Sequence, residues 1–476
     1  MEKIIQKVFQ VIRTPWVMVV GAIILFFIIK IPQIDYRYGD ENIYFLMGKF
    51  LMEGQLPYRD FFFASPPLQL IFTALLFTLL GFRVLMIKFI SLLTVAGSAL
   101  FLYLILRRNK SEIAGVYATV LYLFSFVTLT TSDYVSGIQL VVLFALSAFY
   151  LIERERLGWA GVLAAFSLFT RLYAVPLVGA LALYVLLKKG NLAGRFLINI
   201  SLLFVVGNIL LYSLFGTSYE QDVILYHFMK FEELDKQRVL EFFLRWDWLL
   251  LIMSGLSLVL VRLKKLALPL LGLAAGSMFL YVFKDVYYLY FNLITPFLAL
   301  LGGLCLTHLF HARPFSFIAK KGAWFIALIL GFYVGYGTQF YIRDHAGAAR
   351  INYLPDLIHY VEEHSNPHDS LYGSFEVAPL VAGFTGRAIA GNFIDTNNKT
   401  FSTGIMTLHT REEVLLRERV RFILTKVLVD VQGNLIELGR YISLDYLRRY
   451  CAIAKSYPIE RDYYSNLLLV WECRYE

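Results

Sequence analysis

Charge is scarce in this sequence: 17% of its 476 residues are Asp, Glu, Lys or Arg, against 58% hydrophobic residues. That is too little to coat a soluble globule of this length, so the composition is that of a membrane protein. Cysteine is scarcer still. Cys305 lies in an apolar run, Cys451 and Cys473 lie near the C-terminus, and no metal-binding spacing relates the three. Heptads, low-complexity tracts and fixed-period repeats are absent, which excludes coiled coils and solenoids. The ten-residue alternating segments of a membrane β-barrel are missing too. What is there instead is a series of apolar segments of roughly 20 residues punctuated by short basic clusters, the pattern of a polytopic α-helical membrane protein. No small-residue cleavage site follows the basic opening MEKIIQKVFQVIRT, so residues 16 to 34 are expected as a retained helix rather than a removed signal.

The net charge of +9 does not imply a nucleic-acid partner. The Lys and Arg fall mainly in short loops between apolar segments, as cytoplasmic loops do. Those clusters give a parity test, because cytoplasmic clusters are separated by an even number of crossings. They are the N-terminus, Arg107-Arg108-Asn109-Lys110, Arg154 with Arg156, Lys188-Lys189 with Arg195, Arg262 with Lys264-Lys265, and Arg313 with Lys320-Lys321. Residues 113 to 152 divide at TTSDY, residues 158 to 187 form a shallow hairpin turning near Arg171, residues 196 to 262 divide at a polar stretch, and residues 266 to 310 divide at Lys284-Asp285. Residues 16 to 106 hold three apolar runs, an odd number, so one does not cross. The shortest, PPLQLIFTALLFTLLGF, opens on a double proline and reads as a helix at the outer interface. The expectation is about eleven transmembrane helices with the N-terminus cytoplasmic. A first external loop, 35–82, carries two interfacial helices, near 42 to 53 and 67 to 80. Residues 1–342 are the expected membrane domain. Residues 343–476 are the expected external domain, where LPDLIHYVEEHSN reads as a helix and DSLYGSF, VRFILTKV and NLLLVWECRY as strands of a small α/β fold. On that side of a membrane a Cys451–Cys473 disulfide is chemically allowed, and unlinked strand cysteines are the alternative.

Several charged residues collect on the expected external face. Asp40 precedes the helix-like run NIYFLMGKFLME, where an Asp serves as an N-cap; a carboxylate fixed there is also well held as a general base. Glu41 suits the first turn through the helix dipole. Asp60, beside Arg59, reads as a surface ion pair or as a site acid. Asp133 is the sole acid in a very short turn between spans, where a carboxylate needs a partner. Arg171 at the hairpin apex needs a counter-charge or snorkels to lipid phosphate, and Lys284 has the same two readings plus a local partner in Asp285.

The run GDENIY, then EGQLPYRDFFFASPPL, then LLGFRVLMIKF, resembles the first external loop of the GT-C superfamily of integral-membrane glycosyltransferases. It is especially similar to members related to protein mannosyltransferases and to the aminoarabinose transferase of lipid A. Asp40, Glu41, Tyr44, Gly54, Pro57, Tyr58, Pro66, Pro67, Leu68 and Gly81 occupy the places of the family's acidic pair, following Tyr, G-x-x-P-Y stretch, Pro-Pro-Leu and closing Gly. Asp133, Arg171 in FTRLYAVPL, where Lys is commoner, and the aromatic stretch YYLYFNLITPFLALLGG extend the likeness.

The resemblance implies a GT-C fold and transfer of a sugar from a polyprenyl-phosphate donor to an acceptor hydroxyl at the outer membrane face, with inversion. Asp40 would be the base, Glu41 and Asp133 would position base or acceptor, and Arg171 and Lys284 would hold phosphate. Tyr44, Tyr58, Asp60 and Tyr287 would line the substrate site. The acceptor is a lipid, a protein or a glycan. No obligatory cofactor is implied, since Arg and Lys can manage a monophosphate leaving group, and a divalent cation between Asp40 and Asp133 is compatible with the set. The alternative is a transporter or flippase of lipid-linked glycan, which also needs charged residues in membrane helices.

Overall fold

Inside hydrocarbon no water is present to satisfy backbone N–H and C=O groups, so apolar runs must bond internally as helices. The computed structural model describes residues 14–230, 235–311, 316–345, 349–430, 432, 435–460 and 465–475. The basic N-terminal segment and Arg313 lie outside the described residues, as do the side chains of Lys264, Lys265, Lys320 and Lys321.

Among the described residues four helical runs are long and apolar enough to cross a membrane: Pro15–Gln33, Val84–Arg108, Leu172–Phe215 and Trp324–Arg343. Lys236–Trp246 and Trp248–Leu260, bent by 83° at their junction, make a fifth when taken as one broken span. The chain is thus a multi-pass membrane protein. Charge parity counts eleven crossings where length counts four or five, because the other apolar helices are only 10–17 residues long. At 1.5 Å per residue such helices are about 15–25 Å long, short of a hydrocarbon core about 30 Å thick. Leu68–Leu80, assigned from sequence to the interface, is one of these short helices.

The chain divides into two compact units: residues 1–34, 88–209 and 232–346 form the first, and residues 35–87, 210–231 and 347–476 the second. In the first, small residues let helices approach closely. A Cβ on Gly303 would lie 2.5 Å from the Ala114 carbonyl oxygen, so the helix Thr295–His311 seats against Glu112–Leu123 only with glycine there. The bend between Trp246 and Trp248 has a polar cause. Asp247 turns inward and accepts hydrogen bonds from the amides of Phe126 (2.8 Å) and Val127 (3.1 Å), in the first turn of Phe126–Thr131.

In the second unit, the helices Glu41–Met52 and Leu68–Leu80 are joined by elements of the C-terminal α/β fold. Its strands are β1 (Ser370–Gly373), β2 (Ala388–Ile389), β3 (Phe422–Val429), β4 (Leu435–Leu438), β5 (Cys451–Pro458) and β6 (Leu467–Cys473). The sheet runs β2-β1-β3-β6-β5, with β4 on β3. β2, β1 and β3 are parallel, whereas β6 is antiparallel to β3 and to β5. The apolar opening of β3, Phe422–Leu424, fits a central strand covered on both faces, and the first four residues of the strand are buried. Tyr372, Leu415, Ile423, Leu447 and Trp471 lie in the core of this fold. Cys451 and Cys473 face each other across β5 and β6 and are linked as a disulfide.

Candidate functional site

The second unit carries the first-loop motif. Asp40 stands at the N-cap position of Glu41–Met52, yet its side chain makes no capping hydrogen bond. The capping reading of Asp40 is therefore corrected: the backbone there is already helical, with φ −59° and ψ −19°, and not in the extended conformation of side-chain caps. Glu41 is buried in the first turn, and Asn42 donates to the carbonyls of Arg37 (2.8 Å) and Glu376 (2.6 Å). This last bond ties the helix start to the turn after β1. Tyr44 points its ring edge at Phe63.

Past the helix, Tyr58 adopts φ +66°, a strained conformation for a bulky side chain. Its hydroxyl donates to the Ser65 carbonyl at 2.5 Å, and its ring packs on Phe63, Phe215 and Tyr219. Tyr58 is thus the peg on which the segment 58–65 folds. Asp60 closes the preceding turn: it accepts from the Leu56 amide (2.7 Å) and pairs with Arg59 (2.8 Å). Those two partners hold its carboxyl below the usual range and match the ion-pair reading of Asp60.

Two residues that sequence reasoning passed over also hold this segment. Asp222, in a π-helical turn at Gln221–Leu225, accepts from the Phe63 amide at 3.3 Å, and the His227 ring donates to the Ala64 carbonyl at 2.8 Å. Burial pushes the Asp222 carboxyl up to about 7. The only local signal was an acid and a histidine five residues apart in YEQDVILYHFM.

The first unit carries the other candidates. Asp133 is buried, and its Oδ1 lies 2.7 Å from the Lys30 ammonium, itself fully buried. Lys30 also donates to the Leu129 carbonyl (2.6 Å) and the Tyr341 hydroxyl (2.7 Å). Sequence reasoning demanded a partner for Asp133 and did not find Lys30, a cation at the end of the apolar run ILFFIIK. Arg171 breaks the helical path between Leu157–Thr170 and Val175–Lys189 with φ −155° and ψ 136°. Its Nε donates to the Ser136 carbonyl at 2.8 Å, so the structure brings Arg171 to the turn that carries Asp133. Tyr173, two residues on, meets the Tyr290 hydroxyl at 3.2 Å, and Tyr287 sets its ring edge on Tyr290. Arg171, Asp133 and the aromatic stretch at 287–290 thereby belong to one neighbourhood. Lys284 is exposed and Asp285 buried. Among the described residues no group of three or more His, Cys, Asp or Glu could hold a metal ion.

No family model matches the chain, and no curated protein matches it by sequence. Solved structures do. ArnT from Cupriavidus metallidurans in the apo state superposes with a TM-score of 0.64 at 12% identity, covering 94% of this chain and 98% of that one. ArnT bound to undecaprenyl phosphate gives a TM-score of 0.61 at 12% identity, over 96% of this chain and 98% of that one. The Archaeoglobus fulgidus oligosaccharyltransferase tethered with an acceptor peptide gives 0.54 at 12% identity, over 91% and 75%. The chain shares the fold of these solved structures.

Proposed function

We propose that this protein is an inverting glycosyltransferase that moves a sugar from a polyprenyl-phosphate donor to an acceptor hydroxyl at the outer face of the membrane. The observation that carries the reading is the near full-length fold shared with ArnT, whose structure has been determined bound to undecaprenyl phosphate, in a chain that keeps the acidic pair and Pro-Pro-Leu of the first loop.

In this reading the Asp40 carboxylate removes the acceptor proton while the acceptor oxygen attacks the anomeric carbon. The bond from that carbon to the phosphate oxygen breaks, and polyprenyl phosphate departs with the electron pair. Glu41 and Asn42 hold the helix start that presents Asp40. Arg171 and Lys284 bind the phosphate, and the guanidinium suits two parallel contacts to it. Asp133 acts through the turn it builds: paired with Lys30, it fixes residues 132–137, to which Arg171 is tethered. Tyr44, Tyr58 and Tyr287 line the substrate path, and Asp60 shapes the loop.

The N-terminus is cytoplasmic and the α/β fold external, an orientation supported by the Cys451–Cys473 disulfide, a bond of oxidising compartments. The acceptor is a lipid, a protein or a glycan. The chemistry needs no metal, so turnover is unchanged by EDTA. The test is purified protein in lipid nanodiscs with polyprenyl-phosphate sugars, scoring release of the sugar from its carrier. Movement of intact lipid-linked sugar across a bilayer, with no cleavage in the presence of any acceptor, overturns the reading in favour of a transporter.

A further inference from the structure

The turn that tethers Arg171 is one end of a continuous hydrogen-bonded path, and at the other end stands a buried acid that the proposed reaction does not use. Arg171 Nε donates to the Ser136 carbonyl at 2.8 Å. Behind it the amides of Ser136, Tyr134 and Ser132 donate in turn to the carbonyls of Tyr134, Thr131 and Thr128, each at 3.0 Å. The last two carbonyls lie in the short helix Phe126–Thr131, six residues that make a rod about 9 Å long. At its near end Gln139 donates to the Thr131 carbonyl (2.6 Å) and Asn292 to the Thr131 hydroxyl (2.7 Å). At its far end the rod is held by Asp247, 1% exposed, whose Oδ1 accepts from the Phe126 amide and whose Oδ2 accepts from the Val127 amide. The first amides of a helix have no acceptor within it. Ser125 Oγ takes the next one, from Thr128, at 3.2 Å. The element that carries Asp247 also rests on the aromatic stretch beside Arg171. In the helix Lys236–Trp246, Trp246 stacks on Phe126 with ring centres 4.9 Å apart and Phe243 on Phe291 at 4.1 Å, while Phe242 meets Tyr288 edge-on at 4.8 Å. Between Tyr288 and Phe291, the Tyr290 hydroxyl donates to that of Tyr173, two residues past Arg171, at 3.2 Å.

We infer that Asp247 is a positioning residue for the leaving-group site: by holding the start of Phe126–Thr131 it fixes the turn 132–137 and, through Ser136, the direction of the Arg171 guanidinium. This rests on the reading of Arg171 as the phosphate ligand. Lys30 and Asp133 secure the turn itself, and Asp247 keeps the rod behind it from pivoting about Thr131. An ionised carboxylate suits the task because it only accepts, with an oxygen for each of the two amides; a carboxamide offers one oxygen and sets an NH2 against the second donor. A guanidinium grips phosphate through two parallel hydrogen bonds, so its hold depends on the direction of its plane, and a displacement of about 1 Å costs up to about 10²-fold in rate. The phosphate gains charge as the sugar departs, so a misdirected Arg171 loses more in kcat than in donor KM.

The experiment is a double-mutant cycle on sugar release by the full-length protein in lipid nanodiscs, reading kcat and donor KM for wild type, Asp247→Ala, Arg171→Ala and the double variant. Asp247→Ala lowers kcat roughly 10- to 100-fold and changes donor KM by less than about 3-fold. In the Arg171→Ala background the same substitution costs less than about 2-fold, because the group it positions is gone. A merely structural role costs the same factor in both backgrounds. Asp247→Asn keeps one of the two acceptors, lowers kcat roughly 3- to 10-fold with the same dependence on Arg171, and carries the test should Asp247→Ala be recovered unfolded. Equal factors in the two backgrounds, or wild-type kcat in whichever of these variants folds, overturns the inference while leaving Arg171 as phosphate ligand. Wild-type kcat in Arg171→Ala, or no cleavage by the wild type, overturns the reading beneath it.

Discussion

The ammonium of Lys30 and the carboxylate of Asp133 meet at 2.7 Å, both side chains with 1% exposure or less, across 103 residues of sequence. Two charges removed from water at this depth depend on each other. Removing one strands the other, which costs about 3–5 kcal/mol, whereas replacing both with apolar groups of similar volume is often neutral. Lys30→Met and Asp133→Asn should each lower unfolding stability in detergent by that amount, and Lys30→Met/Asp133→Leu should recover most of it. Full stability in Asp133→Asn together with abolished transfer would instead place Asp133 in direct contact with substrate.

Asp40 makes no side-chain capping bond, so its replacement separates chemistry from folding more cleanly than a substitution at a capped helix start would. Asp40→Asn should melt within about 1 °C of wild type, because no cap worth about 1 kcal/mol is lost. It should transfer sugar about 10² to 10⁴-fold more slowly, the size of a missing general base.

Arg171 is anchored through Nε on the Ser136 carbonyl, and in the proposed reaction its guanidinium holds the departing phosphate. The phosphate gains negative charge as the sugar leaves, so a contact to it strengthens in the transition state. Arg171→Ala should lower kcat by about 10² to 10³ with a smaller change in donor KM, as loss of an oxyanion contact does. Arg171→Lys should recover part of this, since an ammonium supplies charge without two parallel hydrogen bonds. An effect confined to KM would remove the leaving-group role.

The sidedness of the chain can be read on intact cells. Cys451 and Cys473 are linked and Cys305 is buried, so added cysteines report with little background once Cys305 is replaced by Ser. Ser402→Cys, on the α/β fold, should react with an impermeant maleimide, and Asn109→Cys, in the basic cluster after Val84–Arg108, should not until the cells are opened. Labelling of both from outside would break the parity count.

What the sequence determined by itself is local. Apolar spacing and a closing glycine gave the helix Glu41–Met52. A double proline and the lack of length for a span gave Leu68–Leu80. Periodic apolar positions and compact apolar runs gave Leu354–His364, β1, β3 and β6. Each of these rests on neighbours within a turn or two, so a window of residues is enough to see it. The same holds for the break at Arg171, which a short polar interruption in an apolar run announces. β5 was not legible: CAIAKSYP has no clean alternation, and it becomes a strand because β6 lies beside it in register and is bonded to it through cysteine. Only tertiary structure decided that Lys30 serves Asp133 and that Arg171 reaches the turn of Asp133. Those pairings are matters of charge balance and packing between residues far apart in the chain. Local spacing fixes which element forms and which side chains share its face, and the low-dielectric interior, where an unmatched charge is intolerable, settles which distant face must meet it.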